Sequence, residues 1–377
     1  MTTETTARDR GTSSRGRDAG DRSAEGGFAL ALALIVLVGI TVFSTAGVWM
    51  ARSEMETSGN QRASFRAFQM AEAGMSRFLG EAAGIPSPSR TYTFPDGTAD
   101  VTTERLGVFA GGHEMYRVTS EATLDDPVGT ERTVSNVTML DPLQLEFPAG
   151  LSTANNIQKS GTAGLISGFD AATSSDCPEA PQPDKPGVIA EDYTQSGGGG
   201  GGGGAGCSGP ICGDPPVAEV SDPLSTLTFD WQEVLDGAVL EYDYTLSGTA
   251  GWPSYGADEW PVILVSNGTD PSDEIALSDA AGHSGRGILV IQGDVVMQGD
   301  WHWDGVVLVG GSLTSDGNNV ITGATVAGLN ELIGGDPALI DLGNGNKTFQ
   351  YHSCNILRAT KEAGRLYEVP GSWRESL

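Results

Sequence analysis

The chain opens with 27 polar residues that show no apolar periodicity, and from Phe28 to Ala51 (FALALALIVLVGITVFSTAGVWMA) it runs 24 residues without a charge. At about 1.5 Å per residue this run makes roughly 36 Å of helix, enough to cross a hydrocarbon core of about 30 Å. A secretory signal has a shorter apolar stretch and a small-x-small cleavage site behind it; here more helix follows instead. From Arg52 to Ala83 the apolar positions Met55, Phe65, Phe68, Ala71, Met75, Phe78 and Leu79 fall near one helical face. Gly84-Ile85-Pro86 then stops the helix. One continuous helix is predicted over 28–83, apolar all round in its first half and amphipathic in its second. A plain single-span anchor does not need that extension.

Beyond it the period changes to two. Four strands are predicted at Thr91–Phe94, Ala99–Leu106, Met115–Leu124 and Glu131–Leu140, separated by turn signals at Pro95-Asp96-Gly97, Gly111-Gly112 and Asp125–Gly129. In the third, Tyr116, Val118, Ser120, Ala122 and Leu124 alternate with polar residues, as a half-buried antiparallel strand requires. Further on, Gly287–Asp304, Gly305–Thr322 and Gly323–Ile340 align without gaps at a period of 18. Glycine recurs at 287, 305 and 323 and again at 299, 317 and 335, with apolar residues at 290, 308 and 326. Glycine corners with β-branched residues between them predict a parallel β-solenoid, its third coil degenerate as a cap often is. Pro261–Ser266 and Asn155–Gly168 are candidates for further strands. The fold class expected is α+β: a long transmembrane and amphipathic helix, a small antiparallel sheet, then a mostly-β, solenoid-like domain.

The domain divisions follow. Residues 1–27 form a leader, 28–84 the helix, 85–145 an antiparallel head and 146–340 the solenoid-like domain. Within it, 170–222 reads as a disordered insertion, with the Pro-rich CPEAPQPDKPG and eight glycines, Gly197–Gly204. Residues 341–377 form a C-terminal segment with a short helix at Cys354–Gly364. The glycine run has no strand before it, no helix after it and no lysine, so it does not cradle a nucleotide phosphate.

Charge sharpens this picture. The chain holds 49 acidic and 21 basic residues, yet between Pro186 and Asn346 there are 23 Asp and Glu against the single base Arg286. Such a surface repels phosphate backbones, which excludes nucleic acid as a partner of this half. Four cysteines in a chain that crosses a membrane suggest two disulfides. The candidate pairs are Cys207 with Cys212, which would close a small loop, and Cys177 with Cys354, which would then tie the insertion to the C-terminal segment; the sequence leaves the connectivity open. Their spacing does not suit a four-cysteine zinc site.

The stretch Met50–Phe78 (MARSEMETSGNQRASFRAFQMAEAGMSRF) resembles the N-terminal region of PilX-type minor pilins, where a span runs into E…(S/A)GN…R…AF..AEAG. Glu54, Gly59, Asn60, Arg62, Ala67, Phe68, Ala71, Glu72, Ala73 and Gly74 occupy those places. Gly26-Gly27 before Phe28 looks like a class III prepilin signal. The resemblance implies cleavage between Gly27 and Phe28 by a prepilin peptidase, and packing against other pilins through the N-terminal helix. It also implies an inner-membrane precursor that becomes part of a type IV pilus in the periplasm or at the cell surface. Most major pilins carry Glu at the fifth mature position; Leu32 stands there here, which points to a low-copy priming or tip subunit.

The runner-up is a membrane-tethered β-solenoid enzyme or adhesin acting on surface polysaccharide. Its candidate carboxylates are Asp294, Asp300, Asp304 and Asp316, but Arg286 is the only nearby base, and solvated corners explain them better. Trp301 and Trp303 share a face if extended and, with His302, form a candidate interaction surface for sugar or protein. Asp270, Asp273 and Glu274 are weak Ca²⁺ candidates that lack a regular ligand loop. The four histidines show no metal spacing. No catalytic residue and no cofactor is expected, and the chain reads as a structural or interaction protein.

Overall fold

A computed structural model describes residues 25–82, 84–109, 112–161, 163–196, 205–267, 274–343 and 345–376. Helix α1 spans Glu25–Glu81. The chain divides into two compact units, one ending at Arg66 and the other Ala67–Leu377.

In the second unit, β1 (Ser89–Phe94), β2 (Gly97–Val108), β3 (Glu114–Leu124) and β4 (Glu131–Asp141) form an antiparallel meander, each within a few residues of the strand its alternation predicts. One face, with Tyr92, Ala99, Val101, Tyr116, Val118, Ala122, Val134 and Leu140, is buried, and so is the Ala67, Met70, Ala71, Met75 and Phe78 stripe of α1.

The remaining strands are β5 (Leu151–Thr153), β6 (Asn156–Ser160), β7 (Leu165–Ser167), β8 (Val188–Ala190), β9 (Asp192–Ser196), β10 (Cys207–Ser208), β11 (Ile211–Cys212) and β12 (Val217–Glu219). After a short helix α2 (Trp231–Leu235) come β13 (Tyr244–Ser247), β14 (Val262–Ser266), β15 (Ile275–Ser278), β16 (Gly285–Ile291), β17 (Val295–Gln298) and β18 (His302–Val309). Then follow β19 (Leu313–Ser315), β20 (Val320–Ala327), β21 (Leu339–Leu342), β22 (Thr348–Tyr351), helix α3 (Ser353–Glu362), β23 (Arg365–Glu368) and β24 (Arg374–Ser376).

Strands β5 to β22 make two sheets, parallel throughout apart from the β10–β11 hairpin. The larger runs β10-β11-β7-β22-β20-β18-β16-β14-β13, with β5, β8 and β12 branching from β20; the smaller runs β15-β17-β19-β21-β6-β9. Gly287 pairs with Gly305 and Gly305 with Gly323, and Val295 pairs with Leu313. Each of these steps is 18 residues. The inward side chains of the two sheets, among them Leu289, Val307, Val295 and Leu313, share a core that also holds Trp301 and Trp303.

The larger sheet is covered on its other face as well. Leu224, Trp231, Val234 and Leu240, from the segment linking β12 to β13, and Ile356 and Ala359 of α3 cluster with its outward Ile288, Val290, Val306 and Leu308. Burial on both faces explains the unbroken apolar runs Ile288–Ile291 in β16 and Val306–Val309 in β18.

The sides of the stack meet at corners that carry polar demand. Asn319, fully buried, donates to Met297 O, Ser315 Oγ and Asp316 O and accepts from Trp301 N. Two lysines answer similar demand with ammonium groups. Lys347 Nζ donates to Gly343 O at 2.6 Å and Lys159 Nζ to Ala163 O at 2.7 Å, both side chains buried. Burial pushes both pKa values down, and for Lys347 the neighbouring Lys159 charge adds to it.

Three expectations are corrected. The third 18-residue unit, Gly323–Ile340, keeps the register only as far as Val326. A single 3₁₀ turn (Leu329–Ile333) is inserted, Ile340 pairs with Leu313, and Val320 pairs with Thr348, 28 residues on. Gly345, not Gly335, rests on Gly317: a Cβ there would lie 2.2 Å from Gly317 O. The insertion 170–222 is not disordered where it is described. Its apolar Val188, Ala190 and Ile211 are buried in the stack core, and it supplies β8, β9, β10, β11 and β12. Gly197–Gly204 lie outside the described residues. The segment 341–377 is not separate either: β22 joins the stack, while β23 and β24 both pair with β4 of the first sheet.

Gly305 has φ +122, and a Cβ on it would sit 2.3 Å from Gly287 O, whereas Gly299 (φ +76) faces open space. Gly305→Ala should therefore cost about 3 kcal/mol of stability and Gly299→Ala about 1, read by chemical denaturation. Equal losses would show that close stacking is not what the corner glycines serve.

Candidate functional site

The part of the chain that carries recognisable chemistry of assembly is α1, and it has two halves. The Gly27–Phe28 bond lies in its first turns. From Leu30 to Met50 the large apolar side chains are exposed, Leu32 among them, and α1 alone among the described helices is long and apolar enough to cross a membrane. Two hydroxyls in this stretch turn inward: Thr41 donates to Val38 O and Thr45 to Thr41 O, so neither demands a partner from lipid. Just past the span, Arg52 pairs with Glu56 at 3.1 Å one turn on. Glu54, Gly59, Asn60 and Arg62 are all exposed, and nothing lies within 4 Å of a Cβ built on Gly59.

The second half is a dock. At Gly74 a Cβ would lie 2.6 Å from Ala99 Cβ and 3.0 Å from Ser120 Oγ, so only glycine lets this turn of α1 lie on β2 and β3. The end of the helix is held by charge. Glu81 accepts from Arg77 at 2.8 Å and from Tyr92 at 3.1 Å and pairs with Arg90 at 3.1 Å, while both guanidinium groups stack on the Tyr92 ring. The Arg77 hydrogen bond holds the Glu81 carboxyl below its usual range. On the other side, Trp373 of the tail meets Phe68 edge to face at 5.8 Å.

On the same face of the sheet as α1, α3 joins it to the stack through a buried ion pair. Lys361 Nζ lies 2.9 Å from Glu114 Oε1, which also takes Arg105 at 2.8 Å, and Tyr116 donates to the same carboxylate. Burial alone would raise the pKa of Glu114; the bonds from Tyr116 and Lys361, with the Arg105 charge, outweigh it and hold it low. The start of α3 is fixed by Asp170, which accepts from Ser353 N at 2.9 Å and Ser353 Oγ at 2.6 Å, and by the Cys177–Cys354 disulfide. The second disulfide, Cys207–Cys212, closes the β10–β11 hairpin.

Other sequence candidates fare differently. Trp301 and Trp303 do share a face and stack at 5.9 Å, but that face is the core: both are fully buried, with Nε1 donating to His283 O and Gly287 O. They form no interaction surface, because the parallel pairing turns their side of the strand inward. His302 points outward to Asp304 at 3.3 Å, and that hydrogen bond raises its pKa. Asp294 accepts from Ser312 N and Asp300 from Asn318 Nδ2, which are corner bonds between successive layers. Asp270 and Asp273 lie outside the described residues and Glu274 is exposed. Among the described residues no group of three or more His, Cys, Asp or Glu is placed to hold a metal ion. The Glu114–Lys361 pair and the C-terminal strands were not found by sequence reading, although the tail offered apolar residues at Leu366, Tyr367, Val369 and Trp373.

Residues 26–76 match the family model described as PilX N-terminal. The resemblance read from Met50–Phe78 lies almost wholly within the segment that this model matches. No curated protein matches the chain. Among solved structures it is similar to the competence-associated pilin ComZ from Thermus thermophilus, at 10% identity, over 83% of this chain and 98% of that one, with a TM-score of 0.23. A score so low carries no argument about fold or role.

Two glycines of α1 separate the dock from the helix itself. Gly74→Leu should cost about 3 kcal/mol by overpacking against Ala99, while Gly80→Leu, with nothing within 4 Å, should be neutral or stabilising. Thermal unfolding of both variants checks this, and comparable losses would remove the close approach at Gly74 as the cause.

Proposed function

We propose that this chain is a structural subunit of a type IV pilus-like fibre, a PilX-like minor pilin made as a membrane-inserted precursor. The observation that carries the reading is the continuity of α1, with a PilX-type segment whose first half is an unpartnered apolar surface and whose second half is docked on a sheet. In this reading prepilin peptidase cuts between Gly27 and Phe28. The exposed Leu30–Met50 surface is then covered first by inner-membrane lipid and later by the helices of other pilins. The parallel sheets form the coils of a β-solenoid, displayed from the fibre in the periplasm or at the cell surface for adhesion or assembly.

Leu32 supports a particular position. A carboxylate in the bilayer costs roughly 2.5–3.5 kcal/mol by insertion scales, so pilins that carry one gain from a neighbour's N-terminal amine. A subunit with leucine there makes no such pair, though its own Phe28 amine can still meet another pilin's glutamate. This one-sided chemistry suits a terminal or initiating place. A glycan-cleaving role finds less support, since Asp294 and Asp300 are engaged in corner bonds and the indoles are buried.

N-terminal sequencing of the mature protein should begin at Phe28, and Gly27→Leu should leave a full-length precursor in the inner membrane; normal maturation of that variant would sink the pilin reading. Quantitative mass spectrometry of sheared fibres should find this chain at a few copies per fibre. Near-equal amounts with the most abundant pilin would overturn the terminal position and leave the pilin assignment standing.

A further inference from the structure

The corners after β16 and β18 take three residues each (292–294 and 310–312), whereas the corner after β20 takes eleven (328–338). Passing from one sheet to the other needs only the short form. The longer corner holds the 3₁₀ turn Leu329–Ile333, and with helix α2 and the β16–β17 corner it borders a cavity of about 510 Å³. From α2 and its C-cap come Gln232, Leu235 and Asp236; from the β16–β17 corner come Gln292 and Gly293. The turn adds Asn330 and Ile333, and Asn267 stands just past the end of β14. Asn330 holds these walls together. Its Oδ1 accepts from the indole N–H of the buried Trp231 at 2.8 Å, which pins α2, and its Nδ2 donates to Gln292 O at 3.0 Å, which pins the corner. Its carbonyl accepts from Gly335 N at 2.7 Å. Gly293 lies so close to Asn267 that a Cβ on it would sit 2.0 Å from Asn267 Nδ2. A ligand meets walls already in place, which spares it the cost of ordering them.

We propose that this cavity is a binding site for a neutral sugar, a hexopyranose unit of a glycan. The chemistry of the lining selects that class. Four carboxamides, Gln232, Asn267, Gln292 and Asn330, stand with the single carboxylate Asp236, and no Lys, Arg or His is among the described residues that line it. A carboxamide both donates and accepts, as a hydroxyl does, so the two match in either sense. Asn330 is spent on the walls, but the glutamines keep capacity. Gln292 is exposed, and its side chain makes no hydrogen bond among the described residues. Gln232 Nε2 donates to Asp236 Oδ1 at 3.0 Å, which leaves Gln232 Oε1 and Asp236 Oδ2 as acceptors.

Leu235 and Ile333, the latter 44% exposed, offer the apolar contact that the C–H face of a pyranose ring needs. Two aliphatic side chains are too little wall for a lipid chain or a wholly apolar ligand, which needs a predominantly hydrophobic lining. An anionic sugar meets a carboxylate and no cation, so like charge opposes it. The volume falls within the roughly 300–1,000 Å³ of small-molecule sites. The residues that interrupt the step from layer to layer are thus the ones that complete the cavity.

The inference deepens the adhesive part of the proposed function and rests on that reading for its setting, while the binding itself is measured on the purified full chain. The test is saturation-transfer NMR in micelles of a zwitterionic detergent without a sugar headgroup. Maltose, lactose and diacetylchitobiose are the neutral probes, and sialyllactose is the anionic one. At least one neutral disaccharide should bind with a Kd of about 1 mM, and sialyllactose about tenfold more weakly than that sugar. Gln232→Ala and Gln292→Ala should each weaken binding about fivefold. Glu233→Ala, on the same helix but outside the cavity, should leave it unchanged. No neutral probe bound at about 20 mM, sialyllactose bound as tightly as the neutral sugars, or binding unmoved by both glutamine variants would each overturn the site. If Gln232→Ala disturbs α2, Gln292→Ala decides alone, since its side chain holds nothing in the fold. Sugar binding that persists in a chain not processed at Phe28 would remove the pilus reading and keep the site.

Discussion

The edge of β20 is shared by two partners, and the architecture follows from that division. Val320–Gly323 pair with β22, which is about to leave the stack, while Thr325–Ala327 pair with β5, which has just entered it. One layer is thus assembled from two distant parts of the chain, and both connections to the antiparallel sheet emerge there. The outgoing connection becomes α3, which covers the outer face of the larger sheet and then supplies β23 and β24 to the first sheet. Asp170, Cys177 and Lys361 all act at this crossing. Strand hydrogen bonds fix the layer, the ion pair ties α3 to β3, and the disulfide ties α3 to the loop between β7 and β8.

What was legible in the sequence is what short-range periodicity encodes. Helix α1 and strands β1 to β4 were readable because 3.6 and 2 are local periods. The glycines at 287 and 305 stood out because one corner rests closely on the backbone of the last, as Gly305 does on Gly287. The order of the stack was not readable. Nothing local in Leu151–Ser160 says that these residues lie beside β20 and β21 rather than beside β13. Nor does local pattern say that Lys159 and Lys347 are buried, each ammonium donating to a corner carbonyl. Trp301 and Trp303 were correctly placed on one face, but alternation cannot say which face is inside.

Burial of those two lysines also sharpens the charge pattern. Lys347 follows directly on the acidic interval from Pro186 to Asn346 and Lys159 lies well before it, and neither reaches solvent. The base inside that interval, Arg286, is stacked on Trp260 together with Arg358 and donates to Ala257 O. The cations nearest the stack therefore serve its interior or its loops. Its outward carboxylates are left to solvent and counterions, which keeps such surfaces apart at low salt.

The placement of β5 to β7 beside β20 to β22 also sets a timetable. A chain threaded across a membrane from its amino end delivers β5, β6 and β7 roughly 170 residues before the strands that close over them. Until then those short strands have open edges and half a core, and closing so large a loop is intrinsically slow. Delivery of the last quarter of the chain, not of any one element, is the moment at which the β body becomes a finished object. A product truncated anywhere before Tyr351 would be left with an unsealed core in the compartment that received it.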